Sequence, residues 1–210
     1  MNYFNNYKTI KEEVSKLASN TNLIIVTKNQ SFEKILPFIS SGHYHFGENK
    51  VQEAKLKWDN ILKNKKDIKL HLIGKLQSNK AKDAFDLFDF IHTLDSEKLA
   101  KILSSLESAS EKKIDYFIQI NIGNEIQKNG IDYSITKEFL SFCRNDLKLN
   151  IIGLMCIPPV NLDPIPFFKK MQELKLINNL SELSMGMSVD YKKAINYGAT
   201  YIRIGSAIFK

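Results

Sequence analysis

The chain has 210 residues, 43% hydrophobic and 25% charged, an ordinary globular composition that excludes a disordered chain. No apolar run nears the roughly 18 residues of a membrane span, and two cysteines without metal-type spacing exclude a disulfide scaffold and suit a reducing cytosol. The net charge of +7 comes from a basic set with only two arginines, Arg144 and Arg203; lysines spread along the chain fit a solvated surface better than a nucleic-acid interface.

In chain order, a helix is predicted near 4–18, in a segment with no continuous apolar stretch of the secretory type. Leu23–Thr27 reads as a strand. Phe32, Ile35, Leu36 and Ile39 follow at helical spacing behind Ser31, an expected N-cap. Tyr44–Phe46 is the second strand, and Val51, Ala54, Trp58, Ile61 and Leu62 mark the next helix. Lys69–Ile73 is a strand followed by a weaker helix near 78–88. Phe90–Thr93 precedes a helix carrying Leu99, Ile102, Leu103 and Leu106. Tyr116–Ile122 leads into Ile135, Phe139, Phe142 and Cys143. Ile151–Met155 leads into a helix over 164–177. Glu182–Ser184, a weak helix over 190–197, and Tyr201–Ile204 complete the pattern.

Eight strands alternating with helices imply parallel pairing. A polar or glycine-bearing motif follows every strand. We therefore expect an α/β fold, a (β/α)8 TIM barrel with an additional N-terminal helix, formed as one domain over residues 1–210, with its site at the carboxyl rim of the strands.

Three features at that rim suggest chemistry. Ser184-Met185-Gly186-Met187-Ser188 and Gly205-Ser206 occupy the loops after strands seven and eight, where barrels often bind phosphate through backbone N–H groups and hydroxyls. Lys28 ends the apolar run Leu23–Val26. Burial in the mouth would lower its pKa and leave an amine able to form a Schiff base, with Lys75 as a rival. Arg203, inside an apolar run, needs an anion or acceptor, which a pyridine nitrogen would supply. Amine, phosphate cradle and arginine together describe pyridoxal 5′-phosphate (PLP). Arginine gives no proton to the ring, which disfavours chemistry needing a strong electron sink.

The motifs His45-Phe46-Gly47-Glu48-Asn49-Lys50-Val51-Gln52-Glu53, His71-Leu72-Ile73-Gly74-Lys75-Leu76-Gln77-Ser78-Asn79-Lys80, Gln119-Ile120-Asn121-Ile122, Lys128-Asn129-Gly130-Ile131 and Gly153-Leu154-Met155 follow one another along the chain. Leu183–Ser188 and Arg203–Phe209 close the set. Together they resemble the pyridoxal phosphate homeostasis protein family, the YggS/PROSC type, a one-domain relative of the alanine racemase barrel. The resemblance implies that Lys28 binds PLP as a Schiff base and that Asn49 lies near the cofactor. It also implies that Ser188, Gly205 and Ser206 hold the phosphate and that Arg203 meets the ring nitrogen.

The role implied is intracellular PLP homeostasis in the cytoplasm without established turnover, with apo PLP-dependent enzymes as candidate recipients and a monomer or weak dimer as the state. No catalytic residue, metal, nucleic acid or membrane is implied. The sequence departs from the pattern at Asn29-Gln30, where a proline-containing tail is usual, and at Lys75. A short segment between Pro159 and Ser181 predicts a trimmed helix, and an end at Lys210 predicts weaker closure. A PLP-dependent amino-acid racemase is the alternative; the second domain that supplies its opposite-face base is not expected here. A Schiff-base aldolase and an RNA-binding protein fit less well. A metal site at His43, His45 and Glu48 is disfavoured against a half-buried strand. Cys143 reads as helix core, and Cys156 as a strand-end residue near the mouth.

Overall fold

The computed structural model describes residues 2–62 and 67–210. Eight parallel strands close into a barrel in sequence order. They are β1 (Asn22–Val26), β2 (His45–Glu48), β3 (Lys69–Leu72), β4 (Phe90–Leu94), β5 (Asp115–Ile120), β6 (Asn150–Cys156), β7 (Glu182–Met187) and β8 (Tyr201–Ile204). Each matches a run expected from the sequence, with ends shifted by at most three residues and β8 unshifted. β1 and β8 close the barrel through the register Asn22↔Tyr201 to Ile25↔Ile204.

The helices are α1 (Asn2–Leu17), α2 (Phe32–Ser40), α3 (Val51–Leu62), α4 (Ala81–Leu87), α5 (Glu97–Ser108), α6 (Thr136–Ser141), α7 (Ile165–Ile177), α8 (Tyr191–Asn196) and α9 (Ser206–Phe209). α1 is the expected N-terminal helix. The segment read as trimmed still holds α7, with 13 residues. Ser31 stands at the N-cap of α2 with extended backbone, but its side chain makes no cap bond, unlike Ser96, which accepts from the Leu99 amide at the start of α5. The last helix, α9, was not foreseen. Phe209 on it packs on Tyr3 and Phe38, and Asn6 of α1 donates to the Ile208 carbonyl at 3.1 Å. No helix among the described residues is long and apolar enough to cross a membrane.

Side chains alternate across each strand, so every strand feeds two cores. Outward residues such as Ile25, Phe46, Leu72 and Ile202 pack against the helices with Phe38, Trp58 and Phe168. Inward residues Ile24, Phe90, Phe117, Met155 and Tyr201 form a second core inside the barrel. Two fully buried histidines lie within it. His71 stacks on Phe90 with centroids 4.2 Å apart, and His92 on Phe117 at 4.2 Å. This layer fills the barrel below the rim.

Burial sets the charge of the imidazoles. It pushes His43 down to about 3 and His45 down to about 4, and holds His71 and His92 well below the ordinary histidine range. The unfolded chain therefore binds more protons below about pH 6.5 than the folded one, and stability falls as pH drops through that range. At pH 5.5 each histidine is expected to withdraw about 1.4 kcal/mol. Urea unfolding at pH 7.5 and 5.5 checks this: the midpoint falls at the lower pH, and an unchanged or higher midpoint contradicts neutral burial.

Candidate functional site

Above the aromatic layer the barrel opens into a cavity of about 410 Å³. Lys28, Asn49, Ser188, Arg203, Gly205 and Ser206 all line it, so four separate rim segments converge on one space. Val26, Ile73, Ile157 and Met187 supply apolar walls. The strand period explains the convergence. Ile24 and Val26 face inward on β1, and two residues further the same face carries Lys28; Gly47 and Asn49 relate in the same way beyond β2.

Lys28 is exposed, which corrects the expectation that the mouth buries it. The rim at this point is open, and drying of the amine is not provided by the strand end alone. What the structure provides is a braced loop. Thr27 is fully buried on the outer side, and its hydroxyl donates to Glu48 Oε1 at 2.7 Å. Lys57 Nζ donates to Glu48 Oε1 at 2.8 Å and to the Thr27 carbonyl at 2.7 Å, while the Trp58 indole donates to the same carboxylate oxygen at 2.9 Å. On the other side of Lys28, the Asn29 amide donates to Glu53 Oε1 at 2.6 Å. Asn29 has φ 58°, a left-handed conformation that asparagine tolerates well and proline forbids. The departure from the proline-containing tail thus matches the local backbone.

Arg203 is 4% exposed. Its Nη1 donates to Ser184 Oγ at 2.6 Å and its Nη2 to the Cys156 carbonyl at 2.9 Å. Among the described residues no carboxylate forms an ion pair with it, and burial pulls its pKa down. A buried cation solvated only by neutral acceptors is a strong hydrogen-bond donor to whatever enters the cavity.

The two loops expected to hold phosphate touch each other. The Ala207 amide donates to Ser188 Oγ at 3.1 Å, which joins the turn after β7 to the start of α9. Gly186 has φ +93°, and a Cβ there would lie 2.6 Å from Ala194 Cβ, so only glycine lets this turn pass so close to α8. Ser206 is exposed at the mouth.

Lys75 lines a neighbouring cavity with Lys50, Gln77 and Lys80. His45 faces into the barrel, where Nδ1 lies 2.8 Å from His71 Nε2, whereas Glu48 faces α3, so the two do not converge. Cys156 is fully buried at the end of β6 and contributes its carbonyl; burial pushes both thiols up to about 12. Ser184, expected in the phosphate loop, lies instead within β7, fully buried, where it accepts from Arg203; sequence reasoning missed Lys57 and the bracing role of Glu48. The signal available was Glu48 directly before Asn49, on the opposite strand face and nine residues ahead of Lys57, an interval too long to read as a pair.

The family model of the alanine racemase N-terminal domain matches residues 2–210. The chain is 36% identical to the pyridoxal phosphate homeostasis protein of Buchnera aphidicola, over 100% of this chain and 98% of that one. PipY of Synechococcus elongatus, solved with PLP bound, superposes with a TM-score of 0.86 at 34% identity, covering 97% of this chain and 99% of PipY. Alanine racemase from Corynebacterium glutamicum shares the fold with a TM-score of 0.69 at 19% identity, this chain covering 58% of its length.

Replacing Lys57 by methionine leaves the Glu48 carboxylate buried without its cation. The expected loss is about 3–5 kcal/mol of stability. Urea unfolding of Lys57→Met measures it; a loss under about 1 kcal/mol means the brace is not a buried ion pair of this kind.

Proposed function

We propose that this chain, which belongs to the pyridoxal phosphate homeostasis protein family and to the wider alanine racemase N-terminal domain family, holds PLP in the rim cavity through Lys28 and serves PLP homeostasis. The observation that carries the reading is the meeting of an amine, a buried guanidinium without a carboxylate, and two joined Ser/Gly turns in one space.

When bound, PLP supplies an aldehyde carbon and an electron-withdrawing ring. Lys28 offers the amine that bonds to that carbon, held in place by the braces on Thr27 and Asn29. Ser188, Gly205 and Ser206 present hydroxyls and backbone N–H groups to a phosphate. Val26, Ile73, Ile157 and Met187 give a planar ring apolar contact and keep water from it. Asn49 adds a polar group on the β2 side. Arg203 donates a hydrogen bond to the ring nitrogen and surrenders no proton, because a guanidinium stays protonated. It therefore withholds the full positive charge that strong carbanion chemistry needs.

The same lining supports binding without turnover. A racemase needs acid–base groups on both faces of the ring. Among the described residues that line the cavity, Lys28 and Arg203 are the titratable ones, and Arg203 is no base. An exposed Lys28 at an open mouth suits a cofactor that is released again, and apo PLP-dependent enzymes are the recipients this reading names. We read residues 1–210 as one cofactor-binding domain, a monomer or weak dimer. Its two buried free thiols suit the cytoplasm.

Borohydride reduction of the protein with PLP, followed by peptide mass spectrometry, tests the site. The label is expected on Lys28, lost in Lys28→Ala and kept in Lys75→Ala; a label on Lys75, or none, overturns the assignment. Arg203→Gln is expected to speed PLP release by about tenfold to a hundredfold, the worth of a charge-assisted hydrogen bond. Stopped-flow transfer to an apo enzyme measures this, and an unchanged rate removes Arg203 from the ring. Alanine racemisation above background, abolished in Lys28→Ala, would favour the racemase instead.

A further inference from the structure

Three of the chain's four histidines stand in a single file of hydrogen bonds that the site described so far does not use. His45 Nδ1 lies 2.8 Å from His71 Nε2, and His71 Nδ1 lies 2.9 Å from His92 Nε2. His92 Nδ1 lies 2.8 Å from Ser184 Oγ, which accepts from Arg203 Nη1 at 2.6 Å. The file runs the length of the barrel, from His45 on the cavity at the amino-terminal end of the strands to Arg203 at the mouth.

Its direction follows from the arginine. A guanidinium only donates, so Ser184 Oγ must accept from it. The Ser184 proton then needs an acceptor, and Ser184 and His92 are both fully buried. His92 Nδ1 is the acceptor in reach, because a proton on Nδ1 would leave the serine hydroxyl buried and unsatisfied. Neutral His92 must therefore carry its proton on Nε2, which points at His71 Nδ1. The same step repeats: His71 is protonated on Nε2 and donates to His45 Nδ1, so His45 is protonated on Nε2 as well. Burial keeps all three rings neutral, so no ring carries both protons.

We propose that Arg203 imposes this one direction on Ser184, His92, His71 and His45, and that the polarised file in turn fixes the guanidinium as the donor at the mouth. It deepens the reading of Arg203 given above and rests on it for the part concerning PLP. Each member both accepts and donates, and such a chain strengthens its own bonds. The file takes the place of the carboxylate that Arg203 lacks. His92 is thus a positioning residue that acts through Ser184.

Nitrogen-15 NMR of histidine-labelled protein without PLP tests the direction. His45, His71 and His92 are expected to be neutral with the proton on Nε2; a proton on Nδ1 of His92 overturns the proposal. Two variants test the positioning. In His92→Asn the amide oxygen can stand near the Nδ1 site and accept from Ser184, and PLP release is expected to stay within about threefold of the parent. His92→Leu strands the hydroxyl, and release is expected to rise by about tenfold or more, the range set by one unsatisfied buried donor. Equal release from both variants contradicts the positioning role. If the parent protein takes up no PLP, the reading of the site fails, while the tautomers still decide the file.

Discussion

Arg203 carries charge inside a barrel whose interior core is made of Ile24, Phe90, Phe117, Met155 and Tyr201, with neutral imidazoles stacked among them. Burying a cation costs several kcal/mol unless hydrogen bonds replace its water. Here the replacement comes from Ser184, the Cys156 carbonyl and the histidines behind Ser184. Those groups are all fixed by strand register, which leaves the guanidinium little freedom. The mouth gains a donor whose position is set by the closed sheet and not by a loop. A neutral acceptor or an anion is the natural complement to such a group.

The other half of the site is arranged differently. Lys28 sits beyond the end of β1, where ladder bonds no longer hold the backbone. Its neighbours Thr27 and Asn29 are tied instead to Glu48, Lys57 and Glu53, side chains from β2, its end and α3. A rigid donor inside the barrel thus faces an exposed amine on a braced rim. That contrast is the structural basis of the reversible PLP binding proposed above. The likeness to alanine racemase is one of fold; the chemistry is decided by the residues lining this cavity.

Much of this was legible in the sequence. Eight β-rich runs gave the strands because burial on both faces demands continuous apolar residues, and helical spacing gave the intervening elements. Lys28 stood out at the end of the first apolar run and Arg203 inside the last one, and the motifs pointed to Asn49, Ser188, Gly205 and Ser206. What escaped were contacts between residues far apart in the chain. Ser184 meets His92 across 92 positions, and Thr27 meets Glu48 across 21. Periodicity says which face a residue takes but not which partner waits there. The exposure of Lys28 escaped for a related reason: how far a rim covers a side chain depends on loops from other strands. The brief helix α9 is too short to leave a periodic signal.

The central claim is that a covalent-capable amine and a fixed guanidinium share one cavity made for PLP. Visible absorption of the purified chain, stripped of bound small molecules and titrated with PLP, tests it most directly. The account predicts a saturable band distinct from free PLP, with one PLP per chain, absent in Lys28→Ala. A spectrum that stays the sum of protein and free PLP at every ratio would contradict it.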